Sequence, residues 1–251
     1  MIYFIGAGPG AVDLITVKGK NLLEQADIII YAGSLVNPEL LSYAKSDCVI
    51  MDSAKMTLEE VVGAMIPFAK ADKIVVRLHT GDPSIYGAIR EQMDLLKTHQ
   101  LEYQVVPGVS SFFGAAAALK AEYTLPDVSQ TVIITRMEGR TPVPAKEEIS
   151  LLAAHQATMA IFLSSGMLDK LSERLITGGY GTDSPAAIVY KATWPDEKVF
   201  RCTVGTLAQT AAENNINRTA LILVGGFLGD SYDRSLLYDP GFTHGYREAS
   251  K

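Results

Sequence analysis

The sequence has little cysteine, no long apolar run and no block of like charge, and each shortage excludes a class of protein. Cys48 and Cys202 are the only cysteines, which is too few for a disulfide framework or a cysteine-rich metal cluster. Apolar stretches such as VVGAMIPFA are far shorter than the ~20 residues of a membrane span. Met1 leads directly into an apolar strand pattern, without the basic region and cleavage site of a signal peptide. We therefore expect a cytoplasmic protein with no metal site and no membrane association.

The charge balance limits the partners further. The formal net charge of -6 argues against non-specific binding to nucleic acid, although a local basic pocket for an acidic small molecule remains compatible with it. With 251 residues and 48% hydrophobic content, the chain is long enough for one large or two small domains.

The first 107 residues alternate between strand-like and helix-like segments. IYFIGA, DIIIYA, KIVVRL and EYQVV are apolar runs typical of buried strands. TVKGKNLLEQA, residues 57–70 and SIYGAIREQMDLLKTH have helical spacing, and Thr57 with Glu60 forms a capping-box pattern at the start of the second helix. Such alternation predicts βαβ units and a mostly parallel sheet.

Beyond VPGVSSFFGAAAAL the pattern changes. QTVIITR, TMAIFLSS, PAAIVYKAT, EKVFRCTV and TALILVGG are strand candidates, with helical stretches at 166–177 and 206–213. The third and fourth of these strands read as a hairpin that turns at WPDE. The predicted fold is therefore α/β with two lobes: residues 1–110 with a mostly parallel sheet, and residues 111–251 with a mixed sheet and helices. We expect a ligand cleft between the lobes.

The opening loop, GAGPGA at residues 6–11, fits the dinucleotide-binding fingerprint G-x-G-x-x-G/A. Two features weaken that interpretation. The second predicted strand ends in Ala32, Gly33 and Ser34, without the acidic residue that binds the ribose. Pro9 also removes a backbone N–H where a pyrophosphate needs donors. A glycine turn that only connects a strand tightly to a helix is at least as compatible with the pattern.

Two further loops follow predicted strands. In HTGDPSIYG, Asp82 and Ser84 stand near the start of a predicted helix, where either could cap it. VPGVSS follows the next strand and leads into an alanine-rich helix. Open α/β sheets place ligands at the carboxyl ends of strands, so the three loops are expected to converge on one site. Small residues and carboxylates there favour amines and hydroxyls over phosphates.

Taken together, these loops give the chain a resemblance to a known family. IYFIGAGPGAVDLITVKG, RLHTGDPSIYG and VPGVSS resemble the markers of the tetrapyrrole methyltransferases, the class III S-adenosylmethionine-dependent enzymes of corrin and sirohaem synthesis. The resemblance covers essentially the whole chain. YAGSLVNPELL, DSAKMTLEEV, EGRTPVP and VYKATWPDEK narrow it to the precorrin-4 C11-methyltransferases of cobalamin biosynthesis, with the cobalt-precorrin-4 enzymes most similar. Tyr31-Ala32 departs from the YD of the uroporphyrinogen-III methyltransferases, so no catalytic residue is assigned.

The resemblance implies S-adenosylmethionine as methyl donor, with S-adenosylhomocysteine as product, held in the cleft between the lobes. It also implies a homodimer, a tetrapyrrole substrate and no protein-bound metal, because any cobalt would arrive within the substrate. Carried over position by position, the implied cofactor-binding residues are Pro9, Thr80, Gly81, Asp82, Ile85, Tyr86, Ser110 and Ser111 in the first lobe, and Phe162, Leu163, Ala187, Thr219 and Ala220 in the second.

A substrate with many acetate and propionate groups needs local cations. Arg136 and Arg140, which flank MEG, are the first candidates, and Lys191 beside ATWPD is the next. Each of them could equally be a solvated surface charge. Trp194 could cover the face of the ring or fill the space between the lobes.

Some residues and alternatives stay open at this stage. Arg77 could be structural and paired with a nearby acid, and His99, His155 and His244 have no spacing typical of a metal site. Methylation of a different ring carbon is the main alternative within the family. A nicotinamide-dependent oxidoreductase rests on the opening glycines alone, and a non-catalytic binding protein is a third possibility.

Overall fold

The computed structural model describes residues 1–250, except for the side chain of Ser34. The chain forms two compact units. Unit 1 contains Met1–Gly114 together with the short segment Lys191–Asp196, and unit 2 contains Ala115–Tyr190 and the chain from Glu197 onward. The return of Lys191–Asp196 to unit 1 is a feature that the linear order of the predicted elements does not reveal.

Unit 1 is built on a five-stranded, entirely parallel sheet. Its strands are β1 (Ile2–Gly6), β2 (Ile28–Tyr31), β3 (Val49–Asp52), β4 (Val75–His79) and β5 (Tyr103–Val106), in the order β3-β2-β4-β1-β5. The helices are α1 (Val17–Gln25), α2 (Leu58–Lys70), α3 (Ile89–Thr98) and α4 (Ser111–Leu119), and the division between the units falls within α4.

Both faces of the central strands β1, β2 and β4 are buried, as expected where βαβ connections cover a parallel sheet. Along β1 and β2, Ile5 and Ile29 pack into one apolar cluster with α1, while Phe4, Ile28 and Ile30 pack into the opposite cluster with α2. The near-continuous apolar runs that predicted these strands are therefore explained by burial on two sides.

Unit 2 contains a mixed sheet. Its strands are β6 (Val132–Arg136), β7 (Thr158–Phe162), β8 (Pro185–Tyr190), β9 (Lys198–Thr203) and β10 (Ala220–Val224), in the order β6-β7-β10-β8-β9. Only β6 and β7 pair in parallel, and the other neighbours are antiparallel. The helices α5 (Ile149–Ala153), α6 (Leu168–Thr177) and α7 (Leu207–Glu213) contribute side chains to one apolar core against this sheet.

The predicted fold class, two α/β lobes with a parallel and a mixed sheet, is confirmed. So is the β8–β9 hairpin, and so is the capping box of α2, in which the Thr57 hydroxyl accepts from Glu60 N–H and the Glu60 carboxylate accepts from Thr57 N–H. The sequence patterns missed β3, an edge strand with mostly exposed side chains, and the short helix α5.

The start of α3 was predicted too early. The helix begins at Ile89, because Tyr86 and Ala88 before it have left-handed backbone angles, with φ of 56° and 50°. Within residues 1–250, no helix is long and apolar enough to cross a membrane. That part of the chain also holds no cluster of histidine, cysteine and acidic side chains suited to a metal ion.

Candidate functional site

The three glycine loops of unit 1 converge, as predicted. They follow β1, β4 and β5, whose carboxyl ends lie side by side because the strands are parallel neighbours. Gly8 N–H donates to the Gly81 carbonyl at 3.2 Å, and Gly81 N–H donates to the Gly8 carbonyl at 2.9 Å. The loops at residues 6–11 and 80–87 are thus joined by a reciprocal pair of backbone hydrogen bonds. In addition, the Thr80 hydroxyl donates to the Leu35 carbonyl at 2.9 Å.

Asp82 joins the second loop to the third. One carboxylate oxygen accepts from Ser84 N–H at 2.8 Å and from the Ser84 hydroxyl, and the other accepts from Gly108 N–H at 2.8 Å. Burial acts to raise the pKa of Asp82, but the hydrogen bonds from Ser84 and Gly108 outweigh it and hold the pKa below its ordinary value. Asp82 is therefore an ionised link between loops. The expectation that Asp82 or Ser84 caps α3 is wrong, since that helix begins beyond both of them.

The first loop does not form a phosphate cradle. Gly8 N–H is bonded to Gly81, Pro9 has no N–H, and Ala11 N–H donates to the Thr193 hydroxyl at 3.0 Å. The following α-helix starts only at Val17, so its N-terminus is separated from the glycines by a 3-10 turn. A dinucleotide fingerprint needs free amides and a helix N-terminus at the loop. Here the Gly8 and Ala11 amides are already engaged, Pro9 has none, and the helix N-terminus lies farther along the chain, so the nicotinamide interpretation loses its only support.

Trp194 covers this first loop. Its indole N–H donates to the Pro9 carbonyl at 3.0 Å, and its ring lies so close to Gly10 that a Cβ there would be 2.1 Å from the ring. Asn37, a buried side chain, donates to the Gly10 carbonyl at 2.9 Å. The Pro9 and Gly10 carbonyls are therefore both bonded to side chains of unit 1.

Three predicted cofactor residues have a left-handed backbone. Tyr86, Leu163 and Thr219 have positive φ of 56°, 53° and 57°. Many of the other non-glycine residues with positive φ directly follow helices, where this conformation is common. Leucine and threonine rarely adopt a positive φ. Where such a strained backbone does not follow a helix, it is often found at ligand sites. Leu163 and Tyr86 are also 64% and 46% exposed, so both present apolar surface that a ligand could cover.

The register of the second sheet brings most of the other predicted residues to one end of it. Arg136 and Phe162 are opposite each other at the carboxyl ends of β6 and β7. In the antiparallel neighbour β10, Ile222 is opposite Ile161, which places Ala220 and Thr219 at the same end. Phe162, Leu163, Thr219 and Ala220 are thus grouped.

Ala187 lies elsewhere in this sheet. It is opposite Leu223, inside the sheet, and has 0% exposure. Ala187 is therefore buried within β8, and as a cofactor contact it stays a prediction. The apolar PAAIV pattern that suggested it is the pattern of a buried central strand.

The three predicted substrate cations lie in different surroundings. Arg140 lines a cavity of about 610 Å³ in unit 2. Arg136 donates from its guanidinium to the carbonyls of Met137, Thr141 and Pro142, at 3.4, 3.2 and 2.7 Å, and so shapes the loop that carries Arg140. Lys191 forms an ion pair with Asp196 at 2.7 Å, and its ammonium lies 5.4 Å from the centre of the Trp194 ring. As substrate contacts, all three stay predictions.

Two buried basic residues stand on β4, directly before the second loop. Arg77 donates to the Gln92 side chain at 3.2 Å and to the Ile30 carbonyl at 3.1 Å, so its predicted partner, an acid, is replaced by neutral oxygens. Burial lowers the pKa of Arg77 to about 10. His79 is 3% exposed and its Nε2 has no hydrogen-bond partner within the described part of the chain. Burial, and then the charge of Arg77, lower the pKa of His79 to about 3.

His79 makes the stability of unit 1 depend on pH. The folded state keeps the imidazole neutral down to a pKa of about 3, whereas the unfolded chain protonates it near the ordinary pKa of 6.5. The contribution of neutral His79 to the free energy of unfolding is therefore complete above pH 6.5 and is lost as the pH falls toward 3. His79 alone should lower the free energy of unfolding by roughly 2 kcal/mol between about pH 8 and pH 5.

Urea unfolding of the wild type and of His79→Leu at both pH values measures this contribution. The variant should lose that part of the pH dependence, while His155→Gln, at an exposed position, should keep it. An equal pH dependence in the wild type and His79→Leu would show that His79 titrates normally in the folded protein.

Comparison with known proteins identifies the family. The family model of the Tetrapyrrole (Corrin/Porphyrin) Methylases matches residues 1–208. The chain belongs to this family. The chain is 53% identical over 251 residues to the cobalt-precorrin-4 C(11)-methyltransferase of Methanocaldococcus jannaschii, covering 100% of this chain and 97% of that protein.

Solved structures agree with the fold. The X-ray structure of a cobalamin biosynthetic enzyme, cobalt precorrin-4 methyltransferase, matches with a TM-score of 0.89 and 51% identity, over 91% of this chain and 96% of that one. A uroporphyrin-III C-methyltransferase from Thermus thermophilus, solved in complex with S-adenosylhomocysteine, has a TM-score of 0.74 at 24% identity, over 90% of this chain and 92% of that one. The second match shows the fold alone.

As a tetrapyrrole methylase, the chain is an S-adenosylmethionine-dependent C-methyltransferase. The resemblance stated from the loop motifs is confirmed. The sequence motifs did not point to the basic side chains of α6, Lys170 and Arg174, which line the same cavity as Arg140. Their spacing of four residues on a predicted helix was the only available signal, and it is common on solvated faces.

Proposed function

We propose that this tetrapyrrole methylase transfers the methyl group of S-adenosylmethionine to C11 of cobalt-precorrin-4 in cobalamin biosynthesis. The observation that carries the proposal is the 53% identity, over the whole chain, to a protein named for that reaction. The segments that carry the narrower resemblance, EGRTPVP and VYKATWPDEK, include the loop of Arg140 and the Trp194 segment. Methylation of another ring carbon is the alternative.

The family resemblance implies methyl-donor contacts in each unit. The sulfonium and ammonium groups of the donor are cationic. They fit the ionised carboxylate of Asp82, whereas a phosphate cradle would bind an anion. The apolar adenosine part of the donor suits the exposed surfaces of Leu163 and Tyr86. The proposed contacts are Pro9, Thr80, Gly81, Asp82, Ile85, Tyr86, Ser110, Ser111, Phe162, Leu163, Thr219 and Ala220.

The reaction needs positioning more than acid–base groups. When bound, S-adenosylmethionine supplies a methyl group already activated by its sulfonium, and the tetrapyrrole carbon is itself nucleophilic. The hydrogen bonds of Asp82, Gly8 and Gly81 hold the loops rigid, and fixed orientation of two reactants contributes roughly 7–11 kcal/mol in favourable cases. We assign no general base.

Product analysis tests the proposal. The enzyme is incubated with S-adenosylmethionine carrying a ¹³C methyl group and with either cobalt-precorrin-4 or its metal-free form. Mass spectrometry should show the addition of one methyl group, and NMR should place the label at C11. A label at another carbon would overturn the assigned position. Absence of methylation with either substrate, in protein that binds S-adenosylhomocysteine by calorimetry, would favour a non-catalytic binding protein.

We propose in addition that the protein is a cytoplasmic homodimer, as the family resemblance implies. Analytical ultracentrifugation should give twice the 27.1 kDa mass of one chain. A single species at the mass of one chain would contradict the proposed dimer.

A further inference from the structure

A basic cavity in unit 2 lies beside the strand ends that carry the proposed cofactor contacts. The loop after β6 contributes Met137, Glu138 and Arg140, and α6 contributes Lys170 and Arg174, with Met167 just before it. Because Arg136 and Phe162 are paired at the ends of β6 and β7, the two cavity-lining segments follow adjacent strands. The cavity thus shares one end of the sheet with Phe162 and Leu163.

The charges of this cavity are unequally paired. Arg174 forms ion pairs with Glu138, at 3.7 Å, and with Glu148. Among residues 1–250, Arg140 and Lys170 have no ion-pair partner. The cavity therefore presents two cations, Arg140 and Lys170, that are outside any ion pair of the described residues, and one lining carboxylate, Glu173, that is not engaged with Arg174. The lining thus carries three cations against two carboxylates, so its local charge is positive in a protein whose net charge is -6.

The shape of the cavity is fixed by local contacts. Arg136 holds the loop by donating to Thr141 and Pro142, and Gly139 N–H donates to the Thr141 carbonyl at 3.3 Å. A Cβ at Gly139 would lie 3.3 Å from the Met167 methyl, so glycine allows the loop to lie close over the start of α6. Arg174 is anchored by its two carboxylates. Arg140 and Lys170 are therefore presented by a loop and a helix that are each held in place.

We propose that Lys170 and Arg140 bind a carboxylate side chain of the tetrapyrrole substrate in this cavity, and that Arg174 is a positioning residue on its wall. The inference rests on the proposed function. A cavity of about 610 Å³ accommodates an acetate or propionate arm with part of its ring. Carboxylates accept hydrogen bonds from ammonium and guanidinium groups in the geometry that makes such pairs strong.

Kinetics of Lys170→Met test this contact. The KM for the tetrapyrrole should rise about 5- to 10-fold, the increase expected for loss of a partly exposed charged contact, with kcat changed less than about twofold. Lys170→Arg should restore most of the affinity. The double variant with Arg140→Gln should raise KM by roughly 30-fold or more. Lys146→Met, which removes an exposed charge from the same unit outside the cavity, is the matched control.

Binding measurements separate the possible outcomes. The dissociation constant of uroporphyrin, an unreactive porphyrin with only carboxylate side chains, should rise in the same order in the variants, while that of S-adenosylhomocysteine should not change. Weakened S-adenosylhomocysteine binding would assign the cations to the carboxylate of the methyl donor and overturn the inference. A wild-type KM in the double variant would also overturn it. Failure of the wild type to methylate any tetrapyrrole would instead overturn the proposed function, and the porphyrin titration would still test the cavity.

Discussion

Asp82→Asn is expected to weaken the binding of S-adenosylhomocysteine by about 10- to 100-fold, the range for loss of charge-assisted hydrogen bonds in a partly buried site. Asp82 accepts from Ser84 N–H and from Gly108 N–H with different oxygens. An asparagine can keep one of these bonds. At the position of the other oxygen, asparagine has an NH₂ group, which can only donate and would face a backbone N–H that also donates. The hydrogen-bonded link between the second and third loops is therefore lost.

Calorimetry measures this effect, and thermal unfolding shows whether the fold is retained. Ser84→Ala removes only the hydroxyl contact and keeps both backbone contacts, so its effect should be a few-fold at most. Asp94→Asn is the matched control, because Asp94 carries the same charge in unit 1 but pairs with Arg90 on an exposed helix face, at 2.8 Å. Its binding should equal that of the wild type. If Asp82→Asn binds as tightly as Asp94→Asn, the loop link through Asp82 does not support the cofactor site.

Gly108→Ala is expected to cost the protein about 3–5 kcal/mol of unfolding free energy, because the new methyl group has no room. Its Cβ would lie 2.2 Å from the Gly81 carbonyl oxygen and 2.7 Å from the Gly6 Cα. These are backbone atoms of the two other glycine loops. They cannot move aside as a flexible side chain would, so the three loops must separate to accept the substitution.

A second glycine provides a control of opposite sign. Gly63 lies within α2, and a Cβ there would meet no atom within 4 Å. Gly63→Ala should therefore stabilise the protein by roughly 0.5–1 kcal/mol, since alanine loses less conformational freedom than glycine in a helix. Urea unfolding of both variants compares the two effects. Similar midpoints for Gly108→Ala and the wild type would mean that the three loops are packed loosely enough in solution to admit a methyl group.

Much of the fold follows from local patterns. The apolar runs of β1, β2 and β4 are long enough to identify strands because both faces of these central strands are buried. VIMD of β3 has no such signal, since it forms an exposed edge. The helical spacing of SIYGAIREQMDLLKTH is real, but the left-handed backbone at Tyr86 and Ala88 delays the helix. Helical periodicity reports side-chain spacing and does not report such a local break.

Some features of the candidate site also follow from local motifs, and others do not. Motifs at residues 6–11, 80–87 and 107–111 identified the loops and the family. A glycine or proline at a strand end marks a turn through its own backbone preferences, so the sequence shows it directly. An apolar stretch does not reveal which of its residues lies at the end of the sheet, so the pattern around Ala187 did not show that this residue is buried within β8. Lys170 was missed because a basic residue on an amphipathic helix looks the same on a solvated face and in a cavity.

The sequence by itself determined the class of fold, the three loops and membership of the tetrapyrrole methylases, all of which are encoded in residues close together in the chain. Only the tertiary structure decided that Asp82 joins two loops instead of capping a helix. It also decided that Trp194 returns to cover Pro9, and that Arg140 and Lys170 line one cavity. Each of these contacts joins residues far apart in the chain, so it depends on strand order and register, which arise from packing of the whole unit and leave no local pattern.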